Sequence, residues 1–249
     1  MFLNKHVNYS SFFIQNIIDQ NKYLVSSVLI NKVEYERYIQ TRQYKNILFI
    51  TEPIQHFNKE GDRYEYPYKG IIKNKFDIIF GCVNHDPKNG RFKFPLYLFE
   101  NKFDFKNSEQ FIQINNEVLK MNVVSLKEKH FCTLINGWDP ANVRTCIYNK
   151  MRKITDINCP GKLFNNCPNT ELNRIGKAKY INKFLFNICS ENYDYGNVDG
   201  YITEKLMDCC LSGAIPVYAG WLDEYDEKIF NKDRIIFYNS QDENSIESA

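Results

Sequence analysis

The sequence predicts an α/β protein built on parallel β-sheets, and three observations support this. Short apolar runs bounded by polar turns recur in the first half, and their apolar density is typical of strands buried on both faces. The last third alternates strand, helix, strand, helix and strand, as in one half of a doubly wound fold. The chain is 43 % apolar and 15 % aromatic, which is ample for a core and argues against global disorder.

Three buried strands are predicted in the first half of the chain, at Tyr23–Ile30, Ile47–Ile50 and Phe76–Phe80. The segment Glu52–Lys75 contains two prolines and two glycines and is predicted to be mostly loop.

Another strand is predicted at Phe131–Asn136. It is followed by a helix at Asn142–Ile154, where apolar residues recur at helical spacing. The segment Cys159–Asn169 is rich in proline, glycine and asparagine and is predicted to be a loop.

The last third has the clearest pattern. Strands are predicted at Phe184–Cys189, Ile215–Tyr218 and Arg234–Tyr238, and helices at Thr203–Leu211 and Glu224–Phe230. Thr203 is placed to cap the first of these helices, and Gly213 stands where a helix favours a left-handed terminating residue. The polar end of the chain, SQDENSIESA, is predicted to be a frayed tail.

Composition and charge exclude several functional classes. The 32 basic and 30 acidic residues nearly balance, which leaves no electrostatic footprint for nucleic acid. No run approaches the ~18–20 apolar residues of a membrane span, and polar residues interrupt the amino terminus. A soluble, cytoplasmic protein is therefore predicted. The eight cysteines include no C-x-x-C pair and are predicted to be free thiols, with pairing or metal binding by Cys159 and Cys167 left open as alternatives.

A candidate ligand site lies between the strand Phe184–Cys189 and the helix that begins near Thr203. Ligands of open α/β sheets bind at the carboxyl ends of strands, which here means the loop 190–200. A helix amino terminus suits an anion such as a diphosphate, and Lys205 adds a full positive charge there. Glu204 is a suitable acceptor for sugar hydroxyls. The alternative is that Glu204 only caps the first turn and Lys205 is solvated.

The segment 186–220 resembles the signature of glycosyltransferase family 10, the α-1,3/4-fucosyltransferases. There a strand ending in E-N precedes a short loop, then Y-[IV]-T-E-K, a helix and G-x-[IV]-P-[IV]-x-x-G. The positions that match are Glu191, Asn192, Tyr201, Thr203, Glu204, Lys205, Pro216 and Gly220. Three shorter resemblances precede it in the right order, at Ile47–Pro53, Phe76–Phe99 and Asn136–Tyr148. The pattern is closer to the soluble microbial or viral type than to anchored members.

The resemblance implies a GT-B fold of two Rossmann-like domains facing a cleft, with the carboxyl-terminal domain the better defined. We expect an acceptor-binding domain at 1–125 and a nucleotide-sugar-binding domain at 126–249. The implied reaction moves fucose from GDP-fucose to a hydroxyl of a glycan containing GlcNAc or Glc, with inversion. No cofactor or metal is expected.

Specific residues follow from the same resemblance. Glu52 aligns with the proposed base, and Arg144 and Lys205 align with the cations that hold the diphosphate. The residues expected to bind the donor are Glu191, Asn192, Tyr201 and Glu204, together with the two cations. A bland alternative remains for Glu52, since a carboxylate before Pro53 can simply end a strand.

Two departures from the family keep rival hypotheses open. Eight residues lie between Asn192 and Tyr201, a longer loop than expected, which would suit another nucleotide-sugar. The chain also ends soon after its last predicted strand, which suggests a compact variant, a fragment of a longer chain or a protein that needs a partner chain. It also favours the rival hypothesis of a non-catalytic module that binds glycan or nucleotide. The expected partners are otherwise a nucleotide-sugar and an acceptor glycan.

Overall fold

The computed structural model describes residues 45–51, 76–97, 109, 116, 125–194 and 200–249, together with the backbone of 23–27. The chain divides into two compact units. The first comprises residues 1–95 and 199–201, and the second comprises 96–198 and 202–249. The domain boundary expected at residue 125 adjoins a stretch outside the described residues and stays a prediction.

The first unit contains a four-stranded parallel sheet in the order β1-β2-β3-β4. Its strands are Tyr23–Ser27 (β1), Lys45–Ile50 (β2), Ile78–Gly81 (β3) and Arg91–Lys93 (β4). Gly81 ends β3 with a φ of 122°, and a Cβ there would lie 1.8 Å from the carbonyl oxygen of Ile50. Only glycine allows β2 and β3 to end so close together.

The second unit contains a five-stranded parallel sheet in the order β6-β5-β7-β8-β9. Its strands are His130–Leu134 (β5), Ile157–Asn158 (β6), Phe184–Ile188 (β7), Ile215–Tyr218 (β8) and Ile236–Phe237 (β9). The chain leaves β5 toward one edge of the sheet and continues from β7 toward the other. The direction therefore switches between β5 and β7, where doubly wound sheets open a crevice for ligands.

The α-helices whose bounds lie in the described residues all belong to the second unit. They are Val143–Met151 (α1), Thr170–Ile175 (α2), Lys177–Ile181 (α3), Glu204–Ser212 (α4) and Glu243–Ser248 (α5). Short 3₁₀ turns occur at Pro87–Asn89, Leu126–Glu128, Asp226–Lys228 and Lys232–Arg234. The predicted caps of α4 are confirmed: the Thr203 hydroxyl accepts from the Lys205 backbone N–H, and Gly213 is left-handed at φ 73°.

The core of the second unit lies on both faces of its sheet. Ile188 and Val217 belong to the apolar cluster under α1 and α5, whereas their chain neighbours Cys189 and Tyr218 belong to the cluster under α4. This alternation is expected of strands, because successive side chains point to opposite faces. All eight cysteines are free, and burial raises the pKa of Cys132 and Cys159 to about 12.

Two predicted elements at the end of the chain are wrong. The helix expected at Glu224–Phe230 is only the 3₁₀ turn Asp226–Lys228, because the backbone N–H groups of Lys228 and Ile229 donate to the carbonyls three residues earlier, those of Tyr225 and Asp226.

The frayed tail is instead helix α5. Asp242 caps it, Ile246 is buried in the core, and Lys150 of α1 forms ion pairs with Glu243 and Glu247. The tail was predicted to fray because its composition is mostly polar, but the buried side chain of Ile246 anchors it to the core.

Candidate functional site

The candidate site lies at the carboxyl edge of the second sheet, where the chain leaves the adjacent strands β5 and β7 toward opposite edges. The loop after β5 carries Trp138, whose side chain is 63 % exposed. The segment after β7 carries Ser190, Glu191 and Asn192, of which the first two are fully buried. Helix α4 begins close to the same strand end, since the backbone N–H of Thr203 donates to the Glu191 carboxylate at 2.8 Å.

Arg144 joins the two sides of this crevice. Its side chain is fully buried, and its guanidinium donates to the backbone carbonyls of Trp138 at 2.9 Å and Ser190 at 2.6 Å. It also donates to the Asn192 side-chain oxygen at 2.9 Å, and Asp139 lies 3.7 Å away. A planar guanidinium fits this set of acceptors. Arg144 therefore fixes the orientation of Asn192, while the direct contact with a diphosphate stays a prediction.

Glu191 is the centre of a buried hydrogen-bond network. Its two oxygens accept from the backbone N–H and hydroxyl of Thr203 at 2.8 and 2.7 Å, from Lys205 Nζ at 3.2 Å and from the Tyr218 hydroxyl at 3.2 Å. A buried carboxylate is stabilised only when it is paired and hydrogen-bonded in this way. Its role in the structure is to hold the start of α4, and direct donor contact by this residue stays a prediction.

Lys205 lies on the first turn of α4 with 13 % of its side chain exposed. Its ammonium donates to Thr203 Oγ1 at 2.8 Å and to Glu191 Oε2 at 3.2 Å. In the described part of the chain these bonds take up two of its three donors. The alternative that Lys205 is a solvated surface residue does not fit this burial, because the ammonium is held at the helix amino terminus.

Glu204 precedes Lys205 and is 22 % exposed. Its Oε1 lies 3.9 Å from Lys205 Nζ and 3.9 Å from Lys177 Nζ, the latter on α3. Burial alone would raise the pKa of Glu204, but these two ammonium groups outweigh it and hold the pKa below its usual value. Glu204 is therefore an ionised acceptor at neutral pH.

The glycine that ends the family motif, Gly220, lies against the Tyr218 ring. Tyr218 is fully buried, and its hydroxyl donates to Glu191. A Cβ on Gly220 would lie 2.4 Å from that hydroxyl and 2.5 Å from the ring carbon that carries it. Glycine at this position leaves room for the phenol to reach Glu191.

The remaining predicted residues differ in how far the structure describes them. Tyr201 is buried and follows Gly200, whose φ of 70° and 2.2 Å Cβ approach to the Val83 carbonyl require glycine. Glu52, the predicted base, lies outside the described residues. It follows Thr51, the first residue after β2.

Sequence reasoning missed two residues that help to build the site, Tyr238 and Lys177. Tyr238 accepts from the Ser190 hydroxyl at 2.8 Å and donates to the Val143 carbonyl at 2.7 Å, so it ties β7 to α1. Lys177 was missed as well, because nothing in its local sequence indicates contact with α4. Both roles depend on contacts with residues that are distant in the sequence.

Metal and membrane features were also sought in the described residues. In these ranges no group of three or more His, Cys, Asp or Glu side chains is arranged to hold a metal ion. Among the same residues, no helix combines the length and apolar character that a bilayer crossing requires.

The family assignment rests on residues 124–242, which match the sequence model described as "Glycosyltransferase family 10 (fucosyltransferase) C-term". This segment matches the glycosyltransferase family 10 domain. The matched segment includes the described sheet β5–β9 and every site residue from Arg144 to Lys205.

Curated relatives agree with this assignment. Human 4-galactosyl-N-acetylglucosaminide 3-alpha-L-fucosyltransferase 9 is 30 % identical over 125 residues, which are 48 % of this chain and 32 % of the human protein. Alpha-(1,3)-fucosyltransferase FucT of Helicobacter pylori is 26 % identical over 171 residues, covering 59 % of this chain and 34 % of that protein. The chain thus spans about a third of the length of the curated relatives it matches.

Solved structures extend the likeness to almost the whole chain at the level of the fold. An α1,3-fucosyltransferase with GDP matches with a TM-score of 0.57 and 16 % identity, covering 96 % of this chain and 81 % of that one. A second structure, with GDP-fucose, gives a TM-score of 0.55 and 17 % identity, with 96 % and 80 % coverage. The predicted α/β, GT-B-like fold is confirmed.

The predicted cytoplasmic location is wrong. It was inferred from the lack of a long apolar run, but the animal proteins among the curated relatives are fucosyltransferases of the Golgi type. The location of a family 10 domain cannot be deduced from that feature alone.

Proposed function

We propose that this protein is an inverting α-1,3-type fucosyltransferase that moves fucose from GDP-fucose to a hydroxyl of a glycan containing GlcNAc or Glc. The single observation that carries the proposal is the Lys205 ammonium, held at the amino terminus of α4 by Glu191 and Thr203. It lies at the carboxyl edge of the sheet of a family 10 domain. That position suits a nucleoside diphosphate, and the solved structures of the same fold include one with GDP-fucose.

Lys205 is the group we assign to the leaving diphosphate. Negative charge develops on GDP as the glycosidic bond breaks, and a positioned ammonium stabilises that charge more than the ground state. Glu191 and Thr203 fix the ammonium before the donor arrives, so little reorganisation is needed at the moment of reaction. This charge is consistent with a reaction that needs no metal, which we include in the proposal.

Arg144, Asn192, Tyr201 and Glu204 complete the proposed donor site. Arg144 orients the Asn192 amide through its 2.9 Å bond, which leaves the amide nitrogen for a donor hydroxyl or phosphate oxygen. Glu204 accepts hydrogen bonds from the hydroxyl groups of the donor sugar. Arg144 acts through Asn192 in this scheme and is a positioning residue.

Glu52 is assigned as the base on the resemblance of its segment to the family. It would take the proton of the acceptor hydroxyl as that oxygen attacks the anomeric carbon and GDP leaves from the opposite face. A single displacement of this kind converts a β-linked donor into an α-linked product. Loss of a positioned base costs roughly 10²–10⁴-fold in turnover.

The test is a transfer assay with GDP-fucose and N-acetyllactosamine, with the product anomer assigned by NMR. Wild type should form an α-linked fucoside with EDTA present, and Glu52→Gln should reduce turnover by roughly 10²–10⁴-fold while still binding GDP. A β-linked product would contradict inversion, and unchanged turnover in Glu52→Gln would remove Glu52 from the mechanism. Transfer from another nucleotide-sugar only would favour the alternative donor, and GDP binding without transfer to any glycan would favour a binding module.

A further inference from the structure

A row of alternating charges extends from the proposed donor site onto helix α3. It begins at the buried Glu191, passes through Lys205 and Glu204, and continues to Lys177 and Asp208. The first three are in the family motif. Lys177 and Asp208 lie at the end of the same row, and the proposed reaction gives them no role.

Lys177 is placed against α4 by the break between α2 and α3. Gly176 has a φ of 84°, which glycine adopts readily, and it turns the chain so that Lys177 becomes the first residue of α3. The Lys177 ammonium lies 2.8 Å from Asp208 Oδ2 and 3.9 Å from Glu204 Oε1. Asp208 is one helical turn after Glu204, so both carboxylates lie on the same face of α4.

We propose that Lys177 is a positioning residue of the donor site, whose ammonium holds the Glu204 carboxylate in place as an acceptor for hydroxyls of GDP-fucose. This inference rests on the proposed function. It adds a residue of α3, outside the family motif, to the determinants of donor binding. Lys177 does not touch the donor in this scheme, because it acts through Glu204.

The burial of these groups makes the arrangement more than a surface ion pair. The side chains of Lys177, Glu204 and Asp208 are 34, 22 and 16 % exposed. Exposed pairs contribute little to stability, but partial burial limits the ability of water to replace a lost partner. Without Lys177, two carboxylates would share one face of α4, and among the described residues Lys205 alone would balance them.

The expected consequence is a pH-dependent loss of donor binding. Burial raises the pKa of Glu204, and Lys205 and Lys177 lower it below the usual value; burial also leaves the pKa of Asp208 raised despite its bond to Lys177. Removing Lys177 therefore raises the pKa of Glu204, and the carboxylate takes up a proton as the pH falls through the new value. The other charge near Lys205 is Glu191, whose four hydrogen bonds the change leaves in place.

The experiment is a calorimetric titration of the full chain with GDP-fucose between pH 4.5 and 8, with circular dichroism to establish that each variant is folded. We call the fall in GDP-fucose affinity at low pH the acidic limb. For Lys177→Met this limb should move up by about one pH unit, because an opposite charge at this distance shifts the pKa of a carboxyl group by about that amount. Affinity on the limb then falls about tenfold, with little change at pH 8. Lys177→Arg should restore the wild-type limb.

Two further variants separate charge from structure. Asp208→Asn removes the competing carboxylate, so its limb should stay in place or move to lower pH, and Lys177→Met combined with Asp208→Asn should recover part of the loss. Lys179→Met, which changes an exposed lysine of the same helix, should behave as wild type.

The outcomes distinguish the two levels of the proposal. A wild-type limb in folded Lys177→Met, or an upward shift in Asp208→Asn equal to that in Lys177→Met, would overturn the role of Lys177 and leave the donor site intact. Failure of the folded wild-type chain to bind GDP-fucose at any pH would overturn the proposed function itself.

Discussion

The substitution Glu191→Gln tests the buried network at the start of α4. Glutamine keeps the shape of the side chain but removes the charge and replaces one acceptor oxygen with a donor NH₂ group. Four donor contacts, from Thr203, Lys205 and Tyr218, now converge on the two oxygens. At least one of them must then face another donor, and Lys205 loses its only fully buried counter-charge among the described residues.

The magnitude follows from these contacts. Breaking a buried ion pair costs about 3–5 kcal/mol when the surviving charge stays buried. Lys205 is 13 % exposed and can recover some hydration, so we expect about 3 kcal/mol of lost stability. For a chain of this size, one kcal/mol corresponds to about 2–4 °C, which gives a fall in Tm of roughly 6–12 °C.

Thermal unfolding followed by circular dichroism measures the effect, and Glu204→Gln is the matched control. Glu204 lies on the first turn of α4, but its two lysine partners each keep a closer carboxylate. Lys205 stays 3.2 Å from Glu191 and Lys177 stays 2.8 Å from Asp208, so loss of the Glu204 charge should cost only about 1 kcal/mol. The two variants should therefore separate in Tm, whereas both should weaken GDP-fucose binding. If Glu191→Gln melted within about 2 °C of wild type, less than the shift for one kcal/mol, the network would not hold the start of α4.

Two other predictions concern the packing around the site. Gly220→Ala should lower the free energy of unfolding by about 1–3 kcal/mol, because its Cβ would displace the Tyr218 phenol from Glu191. Gly137→Ala is its control, since a Cβ there meets nothing within 4 Å, and an equal loss in both variants would refute the steric argument. Tyr238→Phe should cost about 1–3 kcal/mol in a denaturant titration, because it removes the hydroxyl between Ser190 and the Val143 carbonyl; a neutral result would show that this link carries no stability.

The sequence could predict the elements whose local signals agree. Strand β8 has the predicted bounds, and α4 differs from its prediction by one residue at each end. There a capping threonine, an apolar helical pattern and a terminating glycine all indicate the same structure. Helices α2 and α3 were missed because the stretch is mostly polar, Gly176 interrupts its periodicity, and only Tyr180 and Ile181 are buried.

The site was predictable as a location but not as a network. Glu191, Asn192, Glu204 and Lys205 lie close together, as the pattern of strand, loop and helix indicates. The sequence could not show that Glu191 is fully buried, because its partner Tyr218 is 27 residues further along the chain.

The contacts of Arg144 were likewise not predictable from the sequence. The alignment of Arg144 with the family predicts a cation that holds the diphosphate, but it could not show that the guanidinium is enclosed by acceptors 46 and 48 residues away. Burial and pairing of this kind depend on tertiary contacts that no local pattern records.

The most direct test of the donor site is a calorimetric titration of wild type and Lys205→Met with GDP, GDP-fucose, GDP-mannose and UDP-galactose, with and without EDTA. Wild type should bind GDP and GDP-fucose whether or not EDTA is present. Lys205→Met should bind them roughly 10–100-fold more weakly, the equivalent of one charge-assisted contact of about 1.5–3 kcal/mol. Equal GDP affinity in the two folded proteins, or no guanine nucleotide binding by wild type, would contradict the assignment of the diphosphate to the amino terminus of α4.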